Sequence, residues 1–250
     1  KLIKTFGPEI SGNTMFFTEY VEGSSSNKAI EIYNPDVSNI DLSNYSVKFS
    51  RNGSGWGMYD SSTDEASYIY YLDGTLESGD VYVLTTDAAF EDMLNQSDVQ
   101  LSYPSVCHFN GDDAIGLFHN DVLIDVIGVP SEDPGTGWEV AGIANATKEH
   151  TLIRKSTVTN GSTDWALSSG TNENDSEWIV YDQNYIVNLG SHDGYSTGEN
   201  INPIAIPGPD QTVTFGSLIT LDGSSSVDPN GTIESYSWTQ TAGTIVVLSA

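Results

Sequence analysis

Positive charge is scarce in this sequence. Among 250 residues there are eight Lys and Arg against 35 Asp and Glu, a formal net charge of −27. So acidic a chain repels phosphate backbones, which argues against direct nucleic acid binding. It also repels itself unless cations neutralise it. Cysteine is nearly absent. Cys107 stands alone, so no internal disulfide can staple the fold. It reads either as a small buried apolar residue or as a reactive or intermolecular thiol. The four histidines, His108, His119, His150 and His192, are scattered without a metal-ligand spacing such as H-x-x-x-H. No apolar run approaches the roughly 18–20 residues needed for a membrane span. A G-x-S-x-G elbow and a phosphate-cradling glycine loop are also missing. Residues Lys1-Leu2-Ile3-Lys4-Thr5-Phe6 are too short and too polar for a signal peptide. Export would therefore use a signal already removed or lying upstream.

Aromatics and turn residues are plentiful, with 13 Tyr, 5 Trp and 24 Gly. That composition suits many short strands joined by turns, not a disordered acidic tail. Strands are expected at Thr14–Val21, Ala29–Tyr33, Tyr45–Phe49, Tyr68–Leu72, Val81–Thr85, Ala114–Phe118, Val122–Val126, Thr151–Lys155 and Trp178–Tyr181, all rich in aromatic and β-branched residues. Gly23-Ser24-Ser25-Ser26-Asn27 is turn chemistry. His119-Asn120-Asp121 suits a tight hairpin, because Asn and Asp tolerate positive φ. Asp87–Leu94 is the best helical segment, with Asp87 as its expected N-cap. The pattern predicts an all-β sandwich. Two long loops, Arg51–Glu65 and Val129–Thr147, carry Trp56 and Trp138. Each tryptophan reads either as a plug for one end of the sandwich or as a platform for a ligand such as carbohydrate.

A series of motifs runs in order along residues 13–192. It begins with Phe16-Phe17-Thr18-Glu19-Tyr20-Val21-Glu22-Gly23-Ser24-Ser25-Ser26-Asn27-Lys28-Ala29-Ile30-Glu31-Ile32-Tyr33-Asn34 and continues through Asp41-Leu42-Ser43-Asn44-Tyr45 and Gly79-Asp80-Val81-Tyr82-Val83-Leu84. Phe109-Asn110-Gly111-Asp112-Asp113-Ala114-Ile115-Gly116-Leu117, Leu123-Ile124-Asp125-Val126-Ile127-Gly128, Thr151-Leu152-Ile153-Arg154-Lys155 and Leu189-Gly190-Ser191-His192 complete it. Together these resemble the bacterial lamin-tail domain, in the version that precedes the catalytic domain of secreted nucleases. The resemblance implies an immunoglobulin-like β-sandwich without chemistry of its own, with His192 in a closing turn. A second series includes Gly208-Pro209-Asp210-Gln211-Thr212-Val213, Leu221-Asp222-Gly223-Ser224-Ser225-Ser226-Val227-Asp228-Pro229-Asn230-Gly231 and Tyr236-Ser237-Trp238-Thr239-Gln240. It resembles the opening half of a PKD repeat, also a β-sandwich. The expected organisation is a lead-in strand over 1–12, a lamin-tail-like sandwich over 13–192, a linker over 193–203 and a partial PKD-like sandwich over 204–250. Half a sandwich leaves one face and its edges open, so residues 204–250 are not expected to be stable alone.

Calcium is the one credible cofactor in this composition, since hard cations take six to eight oxygen ligands. Asn110, Asp112 and Asp113 surround a glycine turn, and Asp125 on the next expected strand could join them. Asp222, Asp228 and Asn230 form a second set, and Glu22, Asn27 and Glu31 a third. The competing reading of each set is a turn whose Asp and Asn side chains cap the backbone. Arg154 and Lys155 are expected in ion pairs with neighbouring carboxylates, with ligand recognition as the alternative. No catalytic set is expected. Three functions fit: an adhesion or scaffold region of a secreted or cell-surface bacterial protein, an accessory region of a secreted nuclease or phosphatase, or a subunit of an extracellular assembly. The expected partners are other domains of the parent polypeptide, and protein or polysaccharide at the cell surface. Self-assembly would use the strand Leu2–Phe6 or the open PKD-like half.

Overall fold

The computed structural model describes residues 14–57, 68–192, 205–208, 211–214, 216–226, 233 and 235–244. The expected strand Leu2–Phe6, the linker Asp193–Asn200 and the second part of the Arg51–Glu65 loop lie outside them. The chain divides into two units, 1–194 and 195–250.

In the first unit, β1 (Phe16–Glu22) and β2 (Lys28–Tyr33) form a hairpin closed by the Gly23–Asn27 turn, where the Gly23 amide donates to the Asn27 carbonyl at 2.8 Å. The strands β4 (Tyr45–Ser50), β5 (Ile69–Tyr71), β7 (Val81–Thr86), β9 (Ala114–His119), β10 (Val122–Ile127), β11 (His150–Arg154) and β12 (Trp178–Asp182) follow. All nine expected strands are present, within a residue or two at their ends. The sequence reading missed β3 (Ile40–Asp41) and β6 (Thr75–Leu76), which pair in a two-residue ladder, and β8 (Val99–Leu101). They are too short to show a period. One sheet runs β12-β11-β1-β2-β7-β8 and a second runs β10-β9-β4-β5; only β7–β8 is parallel among these pairs. The β9–β10 hairpin turns at Asn120 and Asp121 with φ of 49° and 61°, as the Asn-Asp pair predicts.

The expected N-cap at Asp87 is not realised. Helix α1 spans only Glu91–Leu94, and Phe90 stands at its N-cap without a side-chain bond. Asp87 instead accepts from the Ser102 hydroxyl at 2.5 Å. A second short helix, α2 (Trp165–Ser169), is capped by Asp164, whose carboxylate accepts from the Leu167 amide at 3.3 Å.

The main core lies between the sheets. Tyr20, Ile30, Leu84 and Leu152 from the six-stranded sheet meet Val47, Phe49, Ile115 and Leu117 from the four-stranded one. A second cluster covers the outer face of the six-stranded sheet. There Val21, Ala29, Val81 and Val83 are roofed by Ala89, Met93 and Leu189, flanked by Phe90, Leu94 and Ile186. Strand β1 is therefore buried at all seven positions.

In the second unit the described residues form turns and no strand. Leu218 is 95 % exposed, Tyr236 53 % and Val213 50 %. Ile206, Pro207, Ile233, Tyr236 and Trp238 line an open hollow of about 300 Å³. Among the described residues these apolar side chains form no buried cluster. Val246 and Leu248 lie outside the described residues.

Candidate functional site

The strongest polar arrangement is a buried ion pair. Arg154 at the end of β11 and Asp125 on β10 are both fully buried, with Nη1 3.0 Å from Oδ2. Asp125 also accepts backbone amides from Phe17 at 2.8 Å, Ser162 at 2.8 Å and Val126 at 3.0 Å. A break in register at Leu123–Asp125 turns this side chain to its partners. Burial raises the Asp125 pKa, and Arg154 and the three amides pull it back. Arg154 Nη2 donates to Glu177 at 2.6 Å, and the guanidinium lies 4.5 Å from the Trp178 ring centre. The expected ion pair of Arg154 is thus present. Lys155 departs from the same expectation: its Nζ donates to the carbonyls of Ser176, at 2.6 Å, and Glu173, not to a carboxylate.

At the Asn110–Asp113 turn, Asp113 accepts the Asn52 amide at 3.0 Å and the Asn110 amide at 2.9 Å. Burial pushes the Asp113 pKa up to about 6, against the pull of those amides. Oriented to satisfy its neighbours, the Asn110 amide nitrogen donates to Asp112 at 2.7 Å and to Asp113, so its oxygen faces away from them. Asp125 belongs to Arg154 and does not complete this turn. Asp222 accepts the Ser224 amide at 2.9 Å, while Asp228 and Asn230 lie outside the described residues. The third set is dispersed. Glu22 pairs with Lys28 and accepts the Glu149 amide. Asn27 accepts from Phe90 at 3.0 Å, and Glu31 from Thr18 Oγ1 at 2.7 Å. Among the described residues no three of His, Cys, Asp and Glu gather so as to hold a metal ion.

Both tryptophans pack on the main core. Trp56 stands edge-on to Phe118 at 5.4 Å and over Gly116, where an added Cβ would sit 2.8 Å from the indole. Trp138 lies over Gly128, where a Cβ would be 2.6 Å from the ring, and its amide donates to Thr147 at 2.8 Å. Cys107 is fully buried, and burial raises its thiol pKa. It is the small apolar residue of the first reading. His108 bonds Ser105 Oγ through Nδ1 at 2.8 Å, and burial lowers its pKa. His192 packs against Tyr33 at 4.7 Å and Phe16 at 6.1 Å. A cavity of about 310 Å³ opens at one end of the sandwich, lined by Lys28, Arg51, Phe49, Tyr68, His108 and Phe109 among others. The sequence reading did not anticipate it, because the lining comes from five separate segments.

The sequence reading also missed a pair of carboxylates. Glu19 and Glu31 face each other across β1 and β2, and both are about 1 % exposed. Both oxygens of Glu19 lack a hydrogen-bond partner. Alternation alone would place both on a solvent face, and only the roof over the outer sheet face shows otherwise.

The first unit is an all-β sandwich in which several charged side chains are buried and bonded internally. Residues 8–131 match the lamin tail domain, and residues 207–250 match the K319L-like PKD domain. These matches bear out the resemblance to a lamin tail domain followed by a PKD domain. The lamin tail match ends before β11 and β12, which extend the same sheet beside β1. No curated protein and no solved structure matches the chain.

Proposed function

We propose that this chain is a non-catalytic adhesion or scaffold region of a secreted or cell-surface bacterial protein. Lamin tail and PKD domains are modules of larger multidomain proteins. The observation that carries the reading is how the polar side chains are spent. Asp125, Asp113, Glu22 and Arg154 each hold the fold together through two or more internal bonds. Catalysis needs a nucleophile, a base and an orienting group converging on open space. The Ser105–His108 contact does not supply this, since Ser105 is itself buried and its Oγ also accepts the Cys107 amide at 3.3 Å. The partners in this proposal are other domains of the parent polypeptide and protein or polysaccharide at the cell surface.

The test is an activity screen of the purified chain on DNA, phosphate esters and polysaccharides, beside a binding screen on bacterial glycans and surface proteins. Binding without turnover is expected. Turnover that persists through repurification and follows the protein peak would overturn the proposal.

A further inference from the structure

The buried carboxylates Glu19 and Glu31 lie under residues 183–192, the segment that crosses the outer face of the six-stranded sheet after β12. Leu189 packs into the outer apolar cluster, with Ile186 at its margin. The Gly190 amide donates to Glu31 Oε2 at 2.8 Å, and Gly190 takes a φ of +88° to do so. Tyr185 brings a buried hydroxyl without a partner, and its ring stacks on Tyr181 at 4.2 Å. The Ser191 amide also bonds Glu31.

Among the described residues, no Lys or Arg is paired with either carboxylate. On β1 the other acid, Glu22, is taken by Lys28. The segment between α1 and β8 supplies Asp98, whose carboxylate accepts the Val83 amide at 2.7 Å. The acids of α1, Glu91 and Asp92, are exposed. Strand β11 presents Thr151, whose hydroxyl is buried without a partner, and β7 presents Thr85 in the same state. On the segment itself are Tyr185 and His192, the latter seated on Phe16 and Tyr33. Arg154 serves Asp125 and Glu177. An ionised carboxylate buried without donors or a counter-ion is strongly disfavoured, and two opposed ones more so.

We propose that Glu19 and Glu31 form a proton-operated latch, which seats residues 183–192 while the pair holds a proton and releases them when both carboxyls ionise. With one proton shared, Glu31 carries the charge that the Gly190 and Ser191 amides meet, and Glu19 is neutral. With none, two negative charges face each other at one ladder position, and water reaches them only if the covering segment lifts. Burial pushes the Glu31 carboxyl up to about 7, so it ionises first, and burial with the Glu31 charge raises Glu19 as well, so the last proton leaves the pair above that pH. Lifting would uncover the apolar surface of Val21, Ala29 and Val83.

Hydrogen exchange on the full chain, corrected for intrinsic rates, tests this at about pH 6 and about pH 10. Protection across 184–192 should fall about ten-fold or more between the two, while β4 and β9 hold theirs. Glu19→Gln should keep the segment protected at both values. Unchanged protection in the wild-type chain overturns the latch without recourse to any variant. So does a loss that reaches β4 and β9 equally, which would be global unfolding, or a loss that persists in Glu19→Gln. Recovery of protection in alkaline solution by calcium or magnesium, at matched ionic strength, would make the pair a cation site and overturn the proton assignment.

Discussion

Two buried carboxylate sites in this sandwich are built in opposite ways. Asp125 has one guanidinium and three backbone amides aimed at it. Glu19 has no hydrogen-bond partner for either oxygen and another carboxylate as its cross-strand neighbour. Both are out of water, so burial does not separate them. The number of donors does. A fully satisfied buried charge fixes the geometry of the strands that supply its donors, here β1, β10 and β11. A starved one makes its region depend on pH.

The largest effect should come from removing the cation. Arg154→Met leaves the Asp125 charge buried and strips Glu177 of its partner, at a cost on the order of 3–5 kcal/mol. Urea unfolding at neutral pH measures it. A loss below about 1 kcal/mol would place the pair among surface-like ion pairs and erase the contrast. The opposite sign is expected at the other site. Burial pushes the Glu31 pKa up to about 7 from its ordinary value of 4.5. The folded state therefore binds the proton more tightly than the unfolded state. Its contribution is fully present below about 4.5 and is lost as pH rises through about 7. Glu19→Gln should stabilise the chain at about pH 8 by roughly 1–3 kcal/mol and flatten its stability between about pH 5 and pH 8. Destabilisation by Glu19→Gln at alkaline pH would show that the carboxylate has a partner after all.

A smaller loss is expected from Gly128→Ala. The residue has a φ of +79°, and its new Cβ would meet the Trp138 ring at 2.6 Å. Strain and displaced packing together should lower stability by about 2 kcal/mol, read from the same urea transitions. A neutral result would mean that Trp138 is not anchored and would return it to the ligand-platform reading.

Most strands of the first unit were legible because they carry aromatic and β-branched residues over five or more positions, as in Phe16–Glu22. Val99–Leu101 was not, since three residues cannot display a period and its parallel pairing with β7 is set by the chain between them. Arg154 was singled out by its rarity, but its partner Asp125 was assigned to a calcium set, because proximity along the chain stood in for proximity in space. The burial of Glu19 and Glu31 was hidden for a different reason. A charged residue in an alternating strand reads as solvent-facing, and the roof made by Met93, Phe90 and Leu189 is a tertiary fact. The turn at Asn110–Asp113 was recognised as a turn, and its bonding pattern decides which of its two readings gains support.

That pattern yields the smallest expected effect. A calcium site at Asn110–Asp113 needs several oxygens converging without competing donors. Asp113 already accepts two amides, and Asn110 turns its nitrogen toward both carboxylates. Burial raises the Asp112 pKa, and Asp133 acts on it as a second negative group. Two such carboxylates attract divalent ions weakly, as any surface of net charge −27 does. Calcium and magnesium at matched ionic strength should therefore raise the melting temperature equally, through screening. A native-state site would instead add stability by mass action, about 2.7 kcal/mol at a hundredfold excess over its dissociation constant. A rise with calcium that magnesium fails to match, and that Asp112→Asn removes, would identify this turn as a site. Loss of the calcium response in Glu19→Gln but not in Asp112→Asn would move the cation to the outer face of the sheet, where the unpartnered Glu19 lies.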